Sequence, residues 1–76
     1  MTIGDLEVGA QARVIGYNKG SVAYRSRLLA MGVTRGERLL VRRMAPMGDP
    51  VEILLKGFAL VLRKDEASAV LVERIG

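Results

Sequence analysis

The side chains with the most chemical potential in this sequence gather around one proline-rich stretch. Asp49 and Glu52 flank Pro50, and Met44 and Met47 stand just upstream. Two carboxylates beside two thioethers are a beginning for a transition-metal site. Such sites usually recruit imidazole or thiolate, and the chain contains neither histidine nor cysteine. Asp49, between Gly48 and Pro50, is also the residue a turn asks for, because its carboxylate accepts local backbone donors. A turn is therefore the expected role, with no metal site and no cofactor. Asp65 and Glu66 form a second carboxylate pair. Adjacent residues on a turn rarely converge on one atom, whereas acidic groups opening a helical turn complement its dipole. Capping is the expectation there. Gly16-Tyr17-Asn18-Lys19-Gly20-Ser21 looks superficially like a phosphate loop, but its lysine precedes the second glycine and the GxxxxGK[ST] spacing is missing.

The absent residue types decide more than those present. Without histidine there is no imidazole base and no Ser-His or Cys-His arrangement, and without cysteine no disulfide or thiolate ligand. A non-enzymatic role is expected, and no catalytic residue is nominated. Net charge is +4 and the sequence pI is near 10.1, which invites an acidic partner. Arg13, Arg35, Arg38, Arg42 and Arg43 suggest a basic stripe. Small barrels that bind nucleic acid add aromatic stacking platforms, and aromatics are only 4% of this chain. Nucleic acid is thus a poorly supported alternative, as is a weak transition-metal-sensing domain. The same shortage counts against a proline-recognising groove.

These side chains need elements to position them. Seventy-six residues, half of them hydrophobic, suffice for one thin-cored domain spanning residues 1–76. The longest apolar run, Phe58–Leu62, falls far short of the roughly 20 residues that cross a bilayer. The acidic start, Met1-Thr2-Ile3-Gly4-Asp5, lacks the basic region and apolar core of a signal peptide. A cytoplasmic location is expected.

Alternation over residues 10–18 predicts a strand with Ala10, Ala12 and Val14 on its inner side. Ser21 stands as an N-cap before a short helix whose apolar face is Tyr24, Leu28 and Met31, and Gly32 is placed to end it. Strands are expected over 37–45, 51–55, 58–63 and 69–74. Lys56-Gly57 should form a tight hairpin turn, and residues 65–68 one helical turn. The implied fold is mainly β, a small closed barrel of about five strands with a short helix between the first two. Its expected core includes Val41, Val51, Ile53, Leu55, Phe58, Leu60 and Leu62. Leu40, Leu54 and Val61 then point outward beside Arg42 and Lys56. With Arg25 and Leu29 on the exposed side of the helix, placed near Arg42 if the helix crosses the long strand, these residues make an apolar patch rimmed by cations. Arg25, Leu29, Leu40, Arg42, Leu54 and Val61 are the expected partner-binding residues.

Several segments, taken in order, resemble one known family. Arg27-Leu28-Leu29-Ala30-Met31-Gly32-Val33-Thr34-Arg35-Gly36 is similar to the RLxxLGLxxG segment of the FeoA family of ferrous-iron transport accessory proteins. Ala45-Pro46-Met47-Gly48-Asp49-Pro50-Val51-Glu52 resembles that family's APLGDPxE loop. Lys56-Gly57 with Leu60, Leu62-Arg63 and Glu66-Ala67 resembles its RGxxLxLRxxEA ending, and Leu6-Glu7-Val8-Gly9-Ala10 its LxxGxxA opening. The departures are Met31 and Met47 where leucine is usual, and Arg35 where proline is common; methionine fills a leucine site at small cost. The resemblance implies an SH3-like barrel, also found as the C-terminal domain of iron-dependent repressors, and, as a property of the family, transition metal ion binding. It further implies a cytoplasmic accessory role in which the chain docks on a FeoB-type ferrous iron permease carrying a GTP-binding domain. Contact with the membrane would then be indirect, at its inner face through the permease, and self-association is a further expectation left open.

Overall fold

A computed structural model describes all of residues 1–76. Five strands, β1 (Gln11–Tyr17), β2 (Arg38–Met44), β3 (Val51–Leu55), β4 (Phe58–Leu62) and β5 (Val70–Arg74), form one antiparallel sheet in the order β4-β3-β2-β1-β5. Helix α1 (Val22–Ala30) joins β1 to β2, and α2 (Lys64–Ala69) joins β4 to β5. Each strand lies within a residue or two of its expected place. The sheet curls around a core that includes Val14, Leu28, Val41, Ile53, Leu55, Leu62 and Val72.

Local chemistry explains the elements. The apolar face of α1 faces inward as its spacing requires: Leu28 is fully buried, and Tyr24 and Met31 pack against the core. The helix ends at Gly32, whose φ of 96° is the left-handed conformation that favours glycine. The N–H of Val33 donates to the carbonyl of Leu28 and that of Gly32 to Leu29, which consumes two orphan helix carbonyls. Val33 is buried as a result. Ser21 occupies the N-cap position but caps nothing with its side chain; its hydroxyl donates instead to the carbonyl of Asn18. Lys56 and Gly57, with φ of 52° and 83°, form the two-residue turn that matches strand twist. The Asp49–Pro50 peptide is cis.

Two expectations need correction. Phe58 is 43% exposed and Leu60 only half-buried, while Leu62 on the same strand is fully buried. Phe58 adjoins the hairpin turn on a strand that ends the sheet, so less of the molecule is available to cover it. The barrel also does not close by hydrogen bonding, because β4 and β5 are the two ends of the sheet and are bridged by α2.

The N-terminal segment is an unexpected part of the core. A short 3₁₀ turn at Ile3–Asp5, with the Asp5 carboxylate accepting the N–H of Thr2 at 2.8 Å, buries Ile3 and Leu6. Thr2 bridges Leu71, and the N–H of Val72 donates to the carbonyl of Met1 at 3.0 Å, so this segment lies along the outer edge of β5.

Candidate functional site

The outer face of the sheet carries the expected apolar patch on three strands. Leu40 sits directly opposite Leu54, and Leu54 opposite Ala59, so one row crosses β2, β3 and β4. Gln11 continues this row on β1. One step along, Glu52 is opposite Val61. Leu40 and Leu54 are half-buried against their neighbours, while Val61 is 59% exposed. The ladder between β2 and β3 shifts register between Val41 and Arg43, which makes Arg42 the extra residue of a bulge. Its Nε lies 3.5 Å from Glu52 Oε2. Lys56 is held 3.0 Å from Glu37. Leucines flanked by a bulged arginine and a lysine therefore form a mixed surface whose apolar part is narrow.

Arg25 and Leu29 are both exposed on α1. The helix is tied to α2 by an ion pair between Arg27 and Glu66, and its end at Gly32 approaches Leu55 and Lys56. Leu40, Arg42, Leu54 and Val61 lie on the sheet and Arg25 and Leu29 on α1, whose neighbouring residues Arg27 and Met31 share a hollow with Val61.

Glu66 is only 4% exposed, and sequence reasoning assigned it no more than a capping role. One carboxylate oxygen accepts the N–H of Arg63 at 2.9 Å, which caps α2, and the other pairs with Arg27. The acidic opening of α2 signalled the cap; nothing local signalled the partner on α1. Asp65 stays exposed. Asp49 and Glu52 do not converge: Asp49 Oδ1 accepts the N–H of Lys64 at 3.2 Å, while Glu52 faces Arg42. Tyr17 is a second group the sequence did not single out. Its hydroxyl donates to the carbonyl of Val33 at 2.5 Å, and burial pushes its pKa above the usual phenol range. At the surface, Arg74 donates to Glu7 at 2.6 Å and holds that carboxyl below its ordinary value.

A family model described as the FeoA domain matches residues 1–74. The chain belongs to the FeoA family. It is 32% identical over 75 residues to a Porphyromonas gingivalis protein described as an Fe(2+) transport protein A/Fe(2+) transporter FeoB fusion protein. That match covers 99% of this chain but only 9% of the relative's length. An NMR structure of a FeoA-like protein from Clostridium acetobutylicum superimposes with a TM-score of 0.89 at 35% identity, covering 99% of this chain and 86% of that one. The crystal structure of Stenotrophomonas maltophilia FeoA complexed with zinc, described as an SH3 domain protein, superimposes with a TM-score of 0.83 at 26% identity, covering 96% of this chain and 89% of that one. The SH3-like fold expected from the FeoA motifs is therefore the fold of this chain. Within it, Gly32 ends α1, Arg63 and Glu66 form the cap of α2, and Arg27 joins the two helices through Glu66, which gives those FeoA-like segments a structural reason. No helix is long and apolar enough to cross a membrane.

Proposed function

We propose that residues 1–76 act as one non-enzymatic accessory domain of ferrous iron uptake that docks on a FeoB-type permease. The observation that carries this reading is the Porphyromonas gingivalis relative, described as a fusion of an Fe(2+) transport protein A with an Fe(2+) transporter. Two units joined in one polypeptide meet at an effective concentration that favours even weak docking. The proposed contact is the surface of Leu40, Arg42, Leu54 and Val61, with Arg25 and Leu29 as a second point. Apolar anchors beside guanidinium groups have the composition of interface hot spots. The location is then cytoplasmic, with membrane proximity supplied by the permease and its GTP-binding domain. A pull-down with the full-length permease and with its soluble GTP-binding domain, in each nucleotide state, tests the reading. Retention on at least one of them is expected, and absence of association with either counts against direct docking.

A further inference from the structure

The two end strands of the sheet are treated differently. The edge of β5 is covered by the N-terminal segment, through the Thr2–Leu71 bridge and the bond from Val72 to Met1. The edge of β4 has no such cover. In a two-residue hairpin the flanking pair, Leu55 and Phe58, is the hydrogen-bonded pair, and bonding alternates from there. The N–H and C=O groups of Ala59 and Val61 therefore point away from β3. Neither residue takes part in any backbone hydrogen bond outside the β3–β4 ladder.

Proteins usually blunt a bare edge with charge, proline, a bulge or a covering segment. Strand β4 uses none of these. Its sequence, Phe58-Ala59-Leu60-Val61-Leu62, is wholly apolar, and its pairing with β3 runs without a register shift, unlike β1–β5 and β2–β3. Three of its five residues, Phe58, Ala59 and Val61, are exposed. Beside Val61 a hollow of about 620 Å³ opens between the edge and α1, lined by Arg27, Met31, Asp49, Pro50, Arg63 and Glu66, with Glu66 taken up by Arg27 and Asp49 accepting the N–H of Lys64. Arg43 and Glu52 line a second hollow beside Val61 and Pro50, and the Glu52 carboxylate there is paired with Arg42. Neither Arg63 nor Arg43 is paired with a carboxylate.

We infer that the β4 edge is a strand-addition site, and that its occupant is an extended acidic segment of the partner protein. Ala59 and Val61 supply main-chain bonds, Met31 and Val61 an apolar subsite, and Arg63 and Arg43 the attraction for carboxylates. Charge complementarity selects this occupant over a second copy of the chain. Antiparallel pairing of two β4 edges would bring two chains of net charge +4 together with their unpaired arginines at the same seam. The inference rests on the permease reading for the source of the segment, and its chemistry is independent of it.

The test combines amide exchange with a proline variant. The N–H of Val61 faces outward, so Val61→Pro removes a docking donor without removing a bond of the β3–β4 ladder. Val61→Thr, which keeps the N–H, controls for loss of the side chain, and thermal melts confirm that each variant folds. With full-length permease, exchange at Ala59 and Val61 should slow at least tenfold on binding. Val61→Pro should weaken binding at least tenfold, and Val61→Thr much less. Unchanged affinity of Val61→Pro together with unprotected amides overturns the edge site and leaves the permease reading standing. If the wild-type chain does not bind the permease at all, that reading falls, and a labelled peptide of alternating Glu and Val decides the edge alone. Binding of that peptide with protection of Ala59 and Val61, and weaker binding of its Lys-for-Glu counterpart, supports the site. Equal binding of the two peptides, or no protection, overturns it. A concentration-dependent dimer lost in Val61→Pro overturns the acidic occupant in favour of a second copy.

Discussion

Arg27 on α1 and Glu66 in the first turn of α2 form an ion pair between side chains of very unequal exposure, 61% and 5%. Glu66 also caps α2 through the N–H of Arg63. One buried carboxylate thus serves two elements, and the two FeoA-like segments that contain Arg27 and Glu66 are joined through it. The exposed arginine loses little hydration in forming the pair, whereas the glutamate has lost nearly all of its own. The structural dependence is therefore lopsided.

That asymmetry predicts a rank order. Glu66→Ala removes cap and pair together and should cost about 2–3 kcal/mol, the range of a lost cap plus a lost charged hydrogen bond. Glu66→Gln keeps an acceptor for the Arg63 N–H and should cost less. Arg27→Ala leaves the buried carboxylate short of a partner and should fall between the two. Urea unfolding of the three variants checks the order. Equal losses in Glu66→Gln and Glu66→Ala would show that the charge, and not the cap, carries the effect.

Tyr17 makes stability sensitive to alkali. Its hydroxyl donates to the Val33 carbonyl, and burial raises its pKa above the usual 10.0. A phenol that holds its proton more tightly when folded stabilises the fold in full below the unfolded pKa. That contribution is lost as pH rises above about 10 towards the folded value. Tyr17→Phe should cost about 0.5–1.5 kcal/mol at neutral pH, as one net hydrogen bond does. It should also flatten the decline above pH 10. Melting temperatures across pH 7–11.5 for both proteins test the pair of effects, and an unchanged alkaline slope in Tyr17→Phe would sink the second.

The carboxylates near Pro50 are committed elsewhere, Asp49 to the Lys64 N–H and Glu52 to Arg42. No group of three carboxylates converges anywhere in the chain. Oxygen donors bind divalent metals tightly only when several converge. Calorimetry with ferrous or manganous ion should therefore show no tight stoichiometric binding. A tight site that disappears in Asp49→Ala would mean that the Pro50 loop rearranges to collect its ligands.

What was legible in the sequence followed from local chemistry. Gly32 announced its own left-handed conformation, Lys56-Gly57 its hairpin, and the spacing of Tyr24, Leu28 and Met31 its buried face. The strands followed from alternation, and the order of motifs identified the family. What was not legible depends on contacts between distant segments. Ile3 and Leu6 lie in a segment with no regular period, so nothing marked them as core. The inward side of β4 was read correctly from alternation, but alternation cannot show that a strand ends the sheet, and Phe58 is exposed for that reason. Periodicity likewise placed Leu29 on the outside of α1, but local spacing could not show that Arg27 joins the helix to α2 through Glu66.

The sheet surface supplies the remaining prediction. Leu54 lies between Leu40 and Ala59 in one row, half-buried but not in the core, and Arg42 is an exposed bulge residue whose partner is Glu52. Leu54→Asp should lower stability modestly, because a carboxylate replaces an apolar contact with Leu40, and still leave a cooperative fold. Arg42→Glu sets a second carboxylate beside Glu52, a like-charge pair that costs a folded strand little at an exposed position but reverses the local field. Each change should weaken binding to the permease by about 1–3 kcal/mol, within the range of single hot-spot losses. Circular dichroism melts and a binding titration on the same samples separate the two effects. Full affinity in both variants would remove the sheet face from the docking surface. If Val61→Pro weakened the same complex, contact would then rest on the β4 edge, where main-chain groups and not the leucine row hold the partner.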